Sequence, residues 1–450
     1  MIKARPLVIR VVAAVSIVAV PIVSALALQR EDKTTPDLGL LAGVIQLVNR
    51  AYVHPVGQDA LTKDALKGML NRLDPHSDYM DEDEFKQMQT DMSGQFGGLG
   101  MQITAQGGVP SIVSPIDDTP AARARLEPGD MIIKVGATST QGMSLRKVVD
   151  MLRGEPGSKV TITILRGKEE PFDVSLTREI IRVASVKSEL KPDRIGYVRI
   201  SQFGNDTSEG FKSALTRLKT DAAGTGLKGL VIDLRNDPGG LLTAAVDVSG
   251  NLLNGGAVVS IRGREANDQH VFNAPAKGDM LPGVPVVVLI NGASASASEI
   301  VAGALQDRKR ATVIGTQSFG KGSVQTVIPI KGHGAVRLTT ALYYTPSGRS
   351  IQDDGITPDV IEEAPKDQQI SGGPLVRESA LSGAIANPGQ FDKRPGAAAK
   401  PQTDMPAKDV NKAAYSAPIR ADLIGKPEDA QLKVAVNYFD KPPAAQPSAR

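Results

Sequence analysis

The sequence predicts a layered α/β protein that carries a separate β-rich module and a helical N-terminal segment. Residues 186–362 alternate strand-like and helix-like patterns, the order of a layered α/β core. Residues 96–180 break into short runs rich in β-branched residues. Residues 38–92 repeat apolar side chains at helical spacing. At 450 residues the chain exceeds one simple core, and two or three domains are expected.

The elements follow in chain order. Lys3, Arg5 and Arg10 precede an apolar run over 11–28, broken only by Ser16, Pro21 and Ser24. Ala25-Leu26-Ala27 then supplies an A-x-A pattern, so residues 1–27 are read as a secretory signal peptide cut after Ala27. The alternative is an uncleaved anchor, which is near the lower length limit for a bilayer span and is weakened by Pro21. Either way the globular part is expected outside the cytoplasm, in the periplasm or an equivalent compartment. Inner-membrane association through the N-terminal segment belongs to the second case. Lys and Arg total 52 against 49 Asp and Glu, and removal of residues 1–27 takes three basic groups and no acid. The balanced remainder argues against a nucleic-acid partner.

Leu40, Leu41, Val44, Leu47 and Val48, then Leu61, Leu66, Met69 and Leu70, mark helical faces. Leu73-Asp74-Pro75-His76-Ser77 is a turn, and Asp81-Glu82-Asp83-Glu84-Phe85 opens another helix with acids in its first turn. In the β-rich module, strands over 109–116, 130–135, 160–165 and 172–176 are interrupted by helices over 120–126 and 144–152. This order is that of a PDZ domain. The resemblance is close at Gly98-Leu99-Gly100-Met101-Gln102-Ile103, at Ser114-Pro115-Ile116-Asp117-Asp118-Thr119-Pro120-Ala121, and at Glu127-Pro128-Gly129-Asp130-Met131-Ile132-Ile133-Lys134-Val135.

In the core, strands are expected over 196–200, 230–234, 258–261, 285–290, 311–314, 324–330 and 336–344, with helices over 209–219, 241–253 and 296–305. The tail after about Pro365 is polar. Its stretch over 387–418, rich in Pro, Ala and Lys, is expected to be a disordered linker, and a short helical pattern returns over 429–439.

Chemistry concentrates on two loops. The strand over 285–290 runs through Asn291-Gly292-Ala293-Ser294-Ala295 into a helix that begins at Ser296. A serine there sits among outward-facing backbone N–H groups at the positive end of a helix dipole, a geometry that can stabilise an oxyanion. A Ser-rich helix start is ordinarily only an N-cap. Lys321, in Phe319-Gly320-Lys321-Gly322, changes that balance, because a lysine whose pKa burial depresses can serve a serine as base. The ordinary reading is a surface lysine in a Gly-rich loop. Gln325, four residues on in a strand, is expected on the same face as Lys321, where a neutral amide can orient the amine. Asp237-Pro238-Gly239-Gly240 lies at the C-terminal end of a strand, the edge where α/β sheets bind ligands, although a plain tight turn is the simpler reading.

Other chemistries fit less well. Gly315-Thr316-Gln317-Ser318-Phe319-Gly320-Lys321 matches the start of a phosphate loop, but Gly322 and a strand follow where Ser or Thr and a helix are needed. The chain has no Cys, and its four His do not sit at metal-ligand spacing, so neither a metal nor another cofactor is expected. A Ser-His-Asp triad is disfavoured, and His76, His270 and His333 are each read as surface histidines.

Together these segments resemble the carboxy-terminal processing peptidases, the S41 family of serine peptidases. Further matches are Asp233-Leu234-Arg235-Asn236-Asp237-Pro238-Gly239-Gly240-Leu241-Leu242, Tyr344-Thr345-Pro346-Ser347-Gly348-Arg349-Ser350-Ile351-Gln352 and Gly355-Ile356-Thr357-Pro358-Asp359. The resemblance covers about residues 40–380. It implies a crotonase/ClpP-like α/β core with an inserted PDZ domain. It also implies a Ser/Lys dyad of Ser296 and Lys321, with Gln325 orienting the lysine and backbone N–H groups of Gly239 or Gly240 and of Ala297 as oxyanion donors. Gly97, Gly98, Leu99 and Gly100 would turn N–H groups toward a peptide carboxylate, so the expected substrates are proteins with exposed apolar C-termini. Arg153 resembles a PDZ arginine that links ligand binding to activation in some relatives, although a surface arginine in a turn is the default. An adaptor protein and a homo-oligomer are compatible with the sequence. The competing readings are a catalytically silent PDZ scaffold, which intact Ser296, Lys321 and Gln325 argue against, and a crotonase-like acyl-CoA enzyme, which export and the PDZ insertion argue against.

Overall fold

The computed structural model describes residues 35–106, 109–116, 118–167, 169–182, 184–265, 267–370, 377–388 and 418–440. The expected signal peptide, Asp117 of the PDZ match, and all but the ends of the expected linker over 387–418 lie outside the described residues. Residues 1–65 and 66–450 are two separate units. The first contains α1 (Thr35–Ala51), whose Leu38, Leu40, Leu41, Val44 and Leu47 are exposed, and the start of α2 (Gln58–Asn71). Among the described residues no helix is long and apolar enough to cross a membrane.

The second unit holds the module and the core. Its first strand, β1 (Asp78–Met80), has only three residues, too short for a sequence pattern to reveal. α3 (Glu82–Ser93) begins with a reciprocal cap, in which the Glu84 N–H donates to Asp81 and the Asp81 N–H donates to Glu84. β2 (Gln95–Gly98) leads into the β-rich module: β3 (Met101–Gln106), β4 (Val109–Pro115), α4 (Pro120–Arg123), β5 (Met131–Val135), β6 (Thr138–Ser139), α5 (Leu145–Leu152), β7 (Lys159–Leu165) and β8 (Phe172–Thr177). Its sheet runs β3-β4-β5-β7-β8, with β6 on β5, so β3 is an open edge. Leu99, Ile112, Ile132, Val148, Ile162 and Ile164 form a core of its own. β9 (Glu179–Arg182) then pairs antiparallel with β2 and closes the module at its root.

The core continues through β10 (Val186–Lys191), β11 (Ile195–Ile200), α6 (Thr207–Asp221), β12 (Gly229–Asp233), α7 (Leu242–Gly250), β13 (Ala257–Gly263), β14 (Gln269–Asn273), β15 (Val286–Ile290), α8 (Ala297–Asp307), β16 (Ala311–Gly315), β17 (Ser323–Pro329), β18 (Ala335–Tyr344), β19 (Val360–Ile361) and α9 (Ala430–Tyr438). One sheet, β10-β11-β12-β15-β16-β19, is parallel from β11 to β19, with β10 antiparallel on its edge. The second sheet is antiparallel, in the order β1-β18-β13-β14 with β17 also on β18. Because β1 precedes the module and pairs with β18, the chain enters the core, leaves to build the module, and returns. The module is therefore an insertion.

A parallel sheet needs cover on both faces. On one face Val198, Ile200, Leu230, Ile232, Val286, Val288 and Ile290 pack with Phe211 and Leu215 of α6, Val248 of α7 and Val301 and Leu305 of α8. On the other, Ile195, Tyr197, Val231, Val287, Leu289 and Ile314 alternate with that set and meet Leu432 and Ala435 of α9. The core thus does not end at 362. α9 supplies the second cover, and its N-cap Asp429 accepts from the Leu432 N–H. The same carboxylate takes two hydrogen bonds, at 2.9 and 2.6 Å, from the guanidinium of Arg235, which is fully buried and also bound to Asp233.

Asp429→Ala removes a cap and half the compensation of a buried cation. Breaking such a buried pair costs about 3–5 kcal/mol. Denaturant unfolding of the variant is expected to show a loss of that order, with the midpoint falling well below that of the parent.

Candidate active site

The turn before α8 holds Ser296 in an unusual conformation. Its φ of 55° and ψ of −112° lie outside the regions that L-residues favour. The turn is pinned from several sides. Asn291 N–H donates to Ser294 Oγ, Ser294 Oγ donates to the Leu234 carbonyl, and Ala295 N–H donates to the Asp237 carbonyl. Gly239 packs directly on it: a Cβ there would sit 2.8 Å from both the Ala297 nitrogen and the Ser296 Cβ, so only glycine fits.

Lys321 arrives on the loop before β17. Gly322, its neighbour, lies so close to the chain at Gln352 that a Cβ would meet the Gln352 nitrogen at 2.5 Å. Phe319 N–H donates to the Ser294 carbonyl, which fastens this loop to the serine turn. The decisive tie is Glu299, in the first turn of α8 and fully buried. Its carboxylate accepts from Ser296 N–H at 2.7 Å, Gly320 N–H at 2.7 Å, Lys321 N–H at 3.0 Å and Ser318 Oγ at 2.6 Å. One side chain thus sets the backbone of both Ser296 and Lys321. Burial pushes its pKa up to about 7 against the pull of those four donors. Tyr343, buried in β18, donates to the Lys321 carbonyl.

Burial lowers the pKa of Lys321, and Arg337 adds to the effect. Glu378, Glu299 and Asp74 oppose it, but only through space. Gln325 stands apart from this arrangement. β17 begins at Ser323, so Lys321 precedes the strand and strand alternation does not relate it to Gln325; beside Gln325 the partner strand β18 carries an extra residue, Thr340. The Gln325 amide donates to Ser323 Oγ and Thr339 Oγ1.

Gly239 and Gly240 follow β12, with positive φ values of 96° and 145°. The Gly239 N–H donates to Asp237 Oδ1 at 2.8 Å, whereas among the described residues the N–H groups of Gly240 and Ala297 have no acceptor. Burial raises the pKa of Asp237 to about 7.

In the module, Gly97 and Gly98 belong to the β2–β9 ladder, opposite Ile180 and Glu179. That pairing places them in a ribbon, leaving Leu99 and Gly100 as the turn before the open strand β3. The Leu99 and Gly100 carbonyls accept from Ala121 and Ile116. Arg153 caps the end of α5 and stacks on Phe96 with its guanidinium carbon 4.4 Å from the ring centroid.

Several participants are invisible to motif reading. Glu299 lies within a quoted motif, but a glutamate in the first turn of a helix signals no more than favourable dipole placement. His76, expected on the surface, is only 17% exposed and pairs with Glu378 at 2.8 Å, because the chain beyond 376 folds back onto the Lys321 loop.

Two expectations follow. Glycine adopts the Ser296 conformation freely, so Ser296→Gly is expected to raise stability in denaturant unfolding by about 1 kcal/mol and, on the dyad that the resemblance implies, to abolish hydrolysis. The Ser/Lys dyad that the resemblance implies needs a neutral lysine, so on that reading kcat/KM is expected to rise with pH along a limb below the ordinary lysine range, the direction that burial of Lys321 imposes.

Comparison with known proteins matches the same regions. The family model "Peptidase family S41" covers residues 194–361, "PDZ domain" covers 87–165, and "Activating protease CtpB N-terminal domain" covers 23–84. The "Carboxy-terminal-processing protease" of Bartonella bacilliformis is 47% identical over 82% of this chain and 85% of its own length. A Staphylococcus epidermidis protein named "Probable CtpA-like serine protease" is 36% identical over 73% of this chain and 66% of its own length. Among solved structures, the photosystem II D1 C-terminal processing protease aligns over 72% of this chain and 92% of its own, with 31% identity and a TM-score of 0.43. The chain belongs to peptidase family S41 and is a serine-type protease of the carboxy-terminal-processing group, with an α/β peptidase core, an inserted PDZ domain and N-terminal helices.

Proposed function

We propose that this protease hydrolyses peptide bonds with a Ser296–Lys321 dyad. The observation that carries the reading is that one buried carboxylate, Glu299, binds the backbone N–H of both residues while burial disfavours the charge on Lys321. Neutral Lys321 takes the proton from Ser296 Oγ as it attacks the scissile carbonyl. The N–H groups of Gly240 and Ala297 receive the oxyanion, and Gly239 can join them only by leaving Asp237. Lys321 then protonates the leaving amine, and water repeats the sequence on the acyl-enzyme. Gln325 orients the base through the Ser323 and Thr339 hydroxyls that it binds, rather than by position along a shared strand face.

Substrate choice falls to the PDZ domain. Its edge strand β3 and the turn at Leu99 and Gly100 suit an extended C-terminal tail added as a further strand. The preferred substrates are proteins with exposed apolar C-termini, and Arg153, at the end of α5, is the residue proposed to report an occupied groove. The apolar run behind Lys3, Arg5 and Arg10 supports action outside the cytoplasm, in the periplasm or at the inner membrane.

The test is incubation of purified protein with an unfolded protein bearing an apolar C-terminal tail, beside Ser296→Ala and Lys321→Ala. Cleavage by the parent alone is expected, with a loss of at least a hundred-fold in each variant. Cleavage that survives in both variants overturns the dyad.

A further inference from the structure

Behind Lys321 lies a second buried carboxylate that the dyad does not use. Glu378, whose side chain is fully buried, sits on a segment returning from the C-terminal side of the core. Its carboxylate accepts from His76 Nε2 at 2.8 and 3.0 Å and from Gln352 Nε2 at 3.0 Å. It reaches the lysine loop from both ends. Its own backbone N–H donates to the Phe319 carbonyl, and Gln352, which it holds, accepts the Gly322 N–H at 2.8 Å. Lys321 lies between those two attachment points.

His76 is held as firmly. Asp74 accepts the His76 and Ser77 N–H groups and the Thr339 hydroxyl. Ser77 Oγ donates to Asp74 and accepts the Thr339 N–H, while Arg337 donates to the His76 carbonyl. The Leu73-Asp74-Pro75-His76-Ser77 turn is thereby fixed on β18, facing Glu378. Four charged groups act on this corner, Glu378 itself, Asp74, Arg337 from β18 and Glu299 from α8, and the titratable His76 faces Glu378. Arg377, next in sequence to Glu378, donates to the carbonyls of Ser318 and Asp354.

We propose that Glu378, held in place by His76, is a positioning residue for the base: it braces the loop on both sides of Lys321 and supplies a negative charge that the amine faces. The inference rests on the dyad reading. Glu378 is the largest charge favouring the ammonium form of Lys321, so alone it works against a neutral base. His76 Nε2 and Gln352 Nε2 hold that carboxylate in place, so its charge cannot swing away from the lysine loop.

The charge on Glu378 separates two conservative variants. The measurement is the second-order rate at which a fluorophosphonate modifies Ser296 in the full chain across pH 5 to 10, a readout that needs no substrate. Glu378→Gln keeps an acceptor for His76 and Gln352 but loses the negative charge. Its rate limb is expected to move to lower pH by about one unit, a shift typical of a charge pair at intermediate dielectric. His76→Gln keeps a donor to Glu378 and leaves its negative charge in place, so its limb is expected to stay where the parent's lies. A purely structural role lowers the rate in both variants and leaves the limb where it is, and that result overturns the proposal. If Glu378→Gln does not fold, Gln352→Met, which leaves the Gly322 N–H unbound, decides the brace: a rate that falls at every pH supports the proposal and an unchanged rate overturns it. A parent that fails to label, or a Lys321→Ala variant that labels as fast as the parent, removes the dyad and this proposal together. Labelling that requires Lys321 but has an unmoved limb in Glu378→Gln removes this proposal only.

Discussion

A single buried carboxylate organises the catalytic corner. Glu299 has four donors and no cation among them: three backbone N–H groups and the Ser318 hydroxyl. Backbone donors cannot rotate away, so each bond fixes a stretch of chain rather than a side-chain rotamer. Two stretches that meet only in the tertiary fold, the serine turn and the lysine loop, are locked in register by that means. The glycines around them follow from this closeness. Gly239 lies under Ser296, and Gly322 lies against Gln352, each where a methyl group would collide with backbone. Ser296 holds its outlying φ and ψ because everything around it is over-determined.

The site also sits on a sheet that cannot be half-built. Alternate residues of β11, β12, β15 and β16 point into two separate cores, and the second is completed by α9 near the end of the chain. Within this shell burial raises the pKa of Glu299 and Asp237 and lowers that of Lys321. Burying ionisable groups is a cost to stability, and it falls on residues around the site.

How far the sequence could be read depended on the length scale of each signal. The alternation of strands and helices over 186–362, the β-rich module and the final helix are patterns of ten residues or more, and all are present in the structure. The Ser296 turn and the Lys321 loop stood out because small residues crowd around one functional group. β1 escaped because three residues have no periodicity, and its role is visible only once β18 lies beside it. For Gln325 the strand alternation does not reach back to Lys321, which lies on the loop before β17. Glu378 and His76 were hidden for a different reason. Their partner lies 302 residues away, and the polar composition around 378 resembled that of a tail. Buried polar residues look like surface residues until their partners are known.

The link between Arg235 and Asp429 has a consequence for biosynthesis. Arg235 roots the loop that carries Gly239 and Gly240, yet its partner lies 194 residues downstream. At ordinary elongation speeds a ribosome needs roughly 10–40 s to cover that distance. Through that interval the guanidinium has only Asp233 and the second face of the sheet is bare. The loop that carries Gly239 and Gly240 therefore gains its final anchorage only after the segment around Asp429 has been synthesised.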